Sequence, residues 1–426
     1  MTVLGAYDAA TVQRRTVRSL VLVQAVGALG ITIGLATASL LARALSGSDS
    51  MAGLAQTTQV LGTAVGGYVL AQLMSARGRR VGLVTGMVVA TFGAVLCVVA
   101  GAIGSMFVLL VGTTMLGAMS AANAAARYAA TDLSAPEHRA RDLSVVVWAG
   151  TIGAVLGPNL AGPSGALALA LGLPALTGPF LVGALGMAVA AVLATVLLRP
   201  DPLLLARELD GSAGAPRRGT AWGRAVAVVR EDPVVGLAVV GVAGAHAVMI
   251  GVMVMTPLHM DHGGAHLHVI GFVISVHVLG MFAFSPVVGW LADTIGRATV
   301  LGIGGVILLA ALVLSGSSPQ GSSWQIFAGL YLLGMGWSFA MVAGSTLLTE
   351  RTPLAARTDV QGASDLVMGL TAAAAGGLSG LVVGIGSFAW LNVLAGVLAA
   401  IVVAAGLAAH RGTLAQRAPT SDLRAS

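Results

Sequence analysis

The side chains able to hold a metal are gathered in one part of the chain. His246, Met249, Met253, Met255, His259, Met260 and His262 follow one another closely, and His266, His268, His277 and Met281 come after a glycine-containing gap. Of the 8 histidines only His138 and His410 lie elsewhere. Met249 and Met253 are four residues apart, with His246 one turn earlier, so a helix would present all three on one face. His277 and Met281 repeat the four-residue spacing. Thioether sulfur is soft and neutral and imidazole is borderline, a donor set that suits Cu(I) far better than Mg, Ca or Mn. Zinc ordinarily adds a carboxylate or thiolate, and the apolar segments here hold no acid except Asp293 at one end. The group His259, Met260, His262, His266 and His268 would collect metal at a mouth. As readily, those loop histidines would sense pH or simply be solvated.

The surroundings exclude most other chemistry. The chain has 426 residues, is 57% hydrophobic and only 9% charged, with a mean hydropathy of +0.94. Soluble domains are about a quarter charged, so a water-soluble fold is excluded. All 22 basic residues are arginine, which rules out a lysine-containing phosphate loop. A net charge of +6 would admit nucleic acid, but the arginines fall between apolar runs, the membrane pattern. Cys97 is the single cysteine, so neither a disulfide framework nor a thiolate zinc site is possible within the chain. No paired carboxylates, Ser/His/Asp spacing or cofactor loop support an enzyme. Arg14, Arg15 and Arg18 precede the first apolar run without a convincing cleavage site, so this end reads as a retained signal-anchor.

A helix crossing a bilayer needs about 20 mostly apolar residues. Twelve such runs are found, at about 19–43, 52–75, 81–101, 104–129, 143–165, 176–198, 234–257, 267–291, 298–316, 324–348, 361–384 and 387–409. The polar segment 199–233 divides them six and six. The expected organisation is a bundle over 1–198, a cytoplasmic linker over 199–233, a second bundle over 234–410 and a tail over 411–426. Arginines crowd the N-terminus, the loops after even-numbered runs and the C-terminus, while Arg43 alone marks the opposite side. Positive charge favours the cytoplasm, so both termini are expected inside.

Two six-helix halves joined by a long cytoplasmic linker resemble the major facilitator superfamily, an all-α membrane fold. Gly289-Trp-Leu-Ala-Asp293-Thr-Ile-Gly296-Arg297 follows that superfamily's G-x-x-x-D-x-x-G-R loop pattern. The equivalent loop of the first half, from Ala71 to Arg80, keeps its glycine and arginines but has Ala71 for the leading glycine and Ser75 for the acid. The first-half loop therefore lacks the carboxylate that the superfamily's gate ordinarily uses. Gly153, Gly157, Pro158, Gly162 and Pro163 in the fifth run resemble the antiporter motif of the superfamily; plain helix packing explains them equally well. Met115 and Met119 repeat the methionine spacing and read as packing.

M-x-x-x-M in the seventh run followed by H-x-x-x-M in the eighth resembles the CcoA-like copper importers of the superfamily. The resemblance implies that Met249, Met253, His277 and Met281 bind copper in transit. With the seventh and eighth helices antiparallel and adjacent, Met249 would lie level with His277 and Met281 with His246, at a rise of about 1.5 Å per residue. Other polar residues in the runs are few: Asn123, Arg127, Gln361 and Asp365. Arg127 and Asp365 would form an ion pair between the halves that breaks during transport, or would simply lie at the cytoplasmic interface; Asp293 and Arg297 belong to the same gating machinery. The expected protein is a monomeric copper transporter, most simply an importer, in the cytoplasmic membrane of a bacterium. Its partners are the bilayer and its cargo, without resident cofactor or nucleic acid. Proton-coupled efflux of hydrophobic small molecules is the alternative, since methionine-rich cavities suit varied ligands.

Overall fold

Lipid offers no hydrogen bonds to a backbone, so an apolar chain of this composition must satisfy its amides within each segment. The computed structural model describes residues 8–47, 49–211 and 219–417, and apart from two short 3-10 turns their regular structure is α-helical. The first half contains α1 (Ala9–Ser46), α2 (Asp49–Arg77), α3 (Arg79–Ile103), α4 (Met106–Ala129), α5 (Arg139–Ala170) and α6 (Gly178–Leu197). The linker carries α7 (Pro202–Leu209) and α8 (Ala221–Glu231). The second half contains α9 (Pro233–His262), α10 (Leu267–Phe282), α11 (Ser285–Ile295), α12 (Arg297–Gly316), α13 (Trp324–Arg351), α14 (Arg357–Ile385) and α15 (Phe388–Arg417).

Among the described residues eleven helical segments are long and apolar enough to cross a membrane. The further one is α2, 29 residues long, whose Thr, Gln and Ser dilute its hydropathy. The eighth run is not one helix: it breaks at Ala283 and Phe284, ahead of Pro286, whose ring cannot continue the hydrogen-bond ladder. The linker is more structured than its polar composition predicts. Asp201, Thr220 and Asp232 cap α7, α8 and α9 through side-chain acceptors, with Pro202 and Pro233 in the first turns. Gly78 and Gly296 turn the chain at φ of 92° and 98°, in the two equivalent loops where only glycine is unstrained.

Each half has its own core. That of the first half joins α1, α3, α4 and α6 and encloses Cys97, fully buried against Gly112. The second joins α9 to α13 and α15, and takes in Ala140 and Leu143 of α5 from across the interface. Phe92, Phe107, Val313 and Ile385 point outward as lipid-facing groups do. Gly153 and Gly157 of α5 lie against α1, where Thr32 donates to the Gly153 carbonyl at 2.7 Å. In this conformation the glycines serve close helix packing.

The halves meet at the arginine-rich end. There α2 packs along α14, and α5 along α11. Ala64 lies opposite Gly369 and Ala71 opposite Gly362. Ser285 donates to the Ser144 carbonyl at 3.1 Å, and Phe282 lies beside Gly150.

Candidate functional site

α9 and α10 carry the donors, but they do not simply face one another. α9 packs on α14, α15 and α13, whereas α10 packs chiefly on α13, which therefore mediates between the two rows. Small residues let α13 approach: a Cβ at Gly334 would collide with the His277 carbonyl oxygen. Both intramembrane histidines turn a nitrogen to α13. Nδ1 of His277 donates to the Leu330 carbonyl at 2.9 Å, and Nδ1 of His246 accepts from Trp337 Nε1 at 2.8 Å. Leu330 and Trp337 are two turns apart on α13, which fixes the relative depth of the two histidines.

His277 is fully buried and its Nε2 has no hydrogen-bond partner. A buried polar atom left unpaired is costly and asks for a reason. Met249 is buried in the same core, with Met253 and Met281 half-buried against it. Phe282 meets Trp337 edge-on at 5.7 Å between ring centroids. His246, Trp337 and Phe282 thus make a continuous surface across α9, α13 and α10.

The outer group is dispersed. His259 is stacked on Phe388 at 4.2 Å and shares a hydrogen bond of 3.1 Å with Ser318. Met260, expected at a mouth, is instead fully buried, because α9 continues to His262 and turns that side chain into the core. His262 and His266 are exposed, and the side chain of His268 lies outside the described residues. Among the described residues no three His, Cys, Asp or Glu side chains converge in a metal-holding group.

The charged residues form a network at the basic end. Asp293 accepts from the amides of Ala140 at 3.2 Å and Arg141 at 2.9 Å, capping α5 across the interface. Arg297 holds Asp293 at 2.9 Å, pairs with Glu350 at 3.2 Å and donates to the Pro136 carbonyl. Deeper in, Arg127 of α4 meets Asp365 of α14 at 2.6 Å, and the Tyr128 hydroxyl lies 3.4 Å from the same carboxylate oxygen. These two residues do join across the halves.

Sequence reasoning missed the rest of the network. Arg79, 1% exposed, grips Asp132 at 2.8 and 3.1 Å and crosses to Gln361 at 2.7 Å. Ser75 donates to Asp359 of α14 at 3.3 Å. Asp359 stands just ahead of the eleventh apolar run, and the observed α14 starts early enough to take it into its first turn.

A family profile described as Major Facilitator Superfamily matches residues 20–267 and 252–423. The "Uncharacterized MFS-type transporter YdeG" of Bacillus subtilis (strain 168) is 34% identical over 391 residues, covering 92% of this chain and 90% of that protein. The "Riboflavin transporter RfnT" of Brucella anthropi is 26% identical over 373 residues, covering 87% and 89%. Among solved structures, a bacterial homologue of the iron transporter ferroportin in an outward-facing state superposes with a TM-score of 0.69 at 16% identity, over 94% of this chain and 99% of that one. The last likeness is of fold alone. With profile and relatives spanning both halves, the chain belongs to the Major Facilitator Superfamily and is a multi-pass secondary transporter that works by alternating access.

Proposed function

We propose that the cargo is copper, moved inward across the cytoplasmic membrane through Met249, Met253, His277 and Met281. The observation that carries this reading is the unpaired Nε2 of His277. Histidines that ligate metals characteristically donate their other ring nitrogen to a carbonyl or carboxylate, which fixes the tautomer and aims the free lone pair. Leu330 plays that part here, and the thioethers of the same core supply soft neutral donors. Arginine bias assigns the basic end and both termini to the cytoplasm. Closure at that end suits a molecule ready to load from outside. Arg127, Asp365, Asp293 and Arg297 then govern closure rather than hold cargo. Whole-cell copper, measured with zinc and manganese, should rise selectively on expression and return to background in Met253→Ala and His277→Ala with the protein still in the membrane. Unaltered copper in the parent, or uptake unaffected in both variants, would sink the assignment.

A second reading has its own support. The riboflavin transporter is similar over most of both chains, and Trp337 presents a ring flanked by Phe282, edge-on to it, and by His246, tilted at 45° and hydrogen-bonded to its indole. A planar organic solute would stack there, whether imported or expelled in exchange for protons. Flavin or dye transport abolished by Trp337→Ala but indifferent to Met249→Ala and Met253→Ala would favour it over copper.

A further inference from the structure

The linker is bonded into the gate at the place where the gate's own acid is missing. In the second half the carboxylate at the interface belongs to Asp293 of α11, and it reaches across to α5. The corresponding position of the first half is Ser75, which carries no charge. Here the acid stands on the opposite helix: Asp359, in the first turn of α14, accepts from Ser75 of α2. The small residue has changed sides as well. Gly289 of α11 gives room to Ser144 of α5, whereas Ala71 of α2 is accommodated by Gly362 of α14. Closure chemistry is thus retained with both partners exchanged across the interface.

The exchange leaves Asp359 without the cation that its counterpart enjoys. Arg297 serves Asp293, but Arg79, at the same motif position, is committed to Asp132 and Gln361. The side chain of Asp359 is fully buried, and a buried carboxylate needs a countercharge. It comes from the linker: Arg224 of α8 pairs with Asp359 at 2.8 Å and is steadied by a 2.7 Å bond to the Gly219 carbonyl. The other linker helix ends at the same place. Arg207 of α7 donates to the Ser75 carbonyl at 2.7 Å, while Asp201 accepts from the Arg80 amide at 2.7 Å. Ser75 is therefore met on its carbonyl by α7 and on its hydroxyl, through Asp359, by α8.

We propose that Arg224 is a positioning residue of the transport cycle: the linker helix supplies the charge that the first-half gate lacks, setting Asp359 for Ser75 and favouring closure at the basic end. The proposal does not depend on the identity of the cargo. It is tested on the full chain in inside-out vesicles by labelling with a membrane-impermeant maleimide. The reporter is Val147→Cys in a Cys97→Ala background: Val147 of α5 is half-buried against the core that the second half shares with α5, and it should uncover when the basic end opens. Arg224→Ala should raise the labelling rate about tenfold, the weight of one charged hydrogen bond, and Arg224→Lys should restore the parent rate. Asp359→Asn should reproduce Arg224→Ala, and the two together should do no more than either alone. In a Ser75→Asp, Asp359→Ser background the acid returns to α2, and Arg224→Ala should lose its effect. Parent-like labelling in Arg224→Ala, or additive effects of Arg224→Ala and Asp359→Asn, would overturn the proposal.

Discussion

Asp365→Asn is the most informative single change at the interface. It removes the charge that α14 offers to α4 while keeping the shape of the side chain and an acceptor for Tyr128. In the parent the ion pair is 2.6 Å long, with side chains 7% and 12% exposed. After substitution the Arg127 guanidinium keeps the Tyr128 hydroxyl at 3.1 Å and the ring face at 4.4 Å, neither of which neutralises it. Breaking a buried pair from one side costs roughly 3–5 kcal/mol, and each 1.4 kcal/mol is a factor of ten, so the closed form should lose about two to three and a half orders of magnitude in relative population. The loss falls on closure rather than on the fold, because the partners belong to different halves. The Val147→Cys reporter should therefore label far faster in Asp365→Asn, while the melting temperature falls little. Adding Arg127→Gln should recover most of the difference, since an unpaired buried cation is then no longer present. If Asp365→Asn labels like the parent, or if the two substitutions worsen one another, the ion pair does not govern closure and the reasoning fails.

Asp293→Asn weakens the cap on α5, at roughly 1 kcal/mol for a capping interaction, so reporter labelling should rise only severalfold, well below the effect of Asp365→Asn. Asp132→Asn strips the partner of the buried Arg79 and, with it, the 3.8 Å contact to Arg357 of α14; the cost of about 3–5 kcal/mol should appear both as a lower melting temperature in detergent and as faster reporter labelling. Gly334→Ala places a methyl group against the His277 carbonyl, which has no flexible end to yield, so the yield of folded protein by size-exclusion chromatography should drop sharply. Gly396→Ala meets nothing within 4 Å and should melt slightly higher, by the helix propensity of about 1 kcal/mol.

The lipid-spanning runs were legible because a bilayer demands contiguous apolar length, and arginine placement ordered the loops between them. Asp293, Gly296 and Arg297 were legible because a tight turn and a helix cap impose fixed spacing along one stretch of chain. The first-half gate was not. Ser75 and Asp359 are far apart in sequence, and only helix packing reveals that glycine and acid have both moved to α14. Nor could spacing show that His246 and His277 are each engaged by α13. Residues on one helix face are implied by periodicity, but which neighbour fills the space between two helices depends on small residues elsewhere, here Gly334. Met260 illustrates the converse. Its polar neighbours suggest a loop, yet one further turn of helix carries it into the core.

The burial of Cys97 has a practical corollary for a transporter studied in detergent. It is the chain's 1 cysteine, and its thiol is sealed within the helices of the first half. A dye that fluoresces on meeting a thiol would stay dark while that half is intact and light as it melts, with no engineered reporter. The second half would be silent in the same scan. Set beside tryptophan emission, which Trp290, Trp324, Trp337 and Trp390 weight toward the second half, the native chain carries separate optical handles for the two bodies whose relative motion is its work.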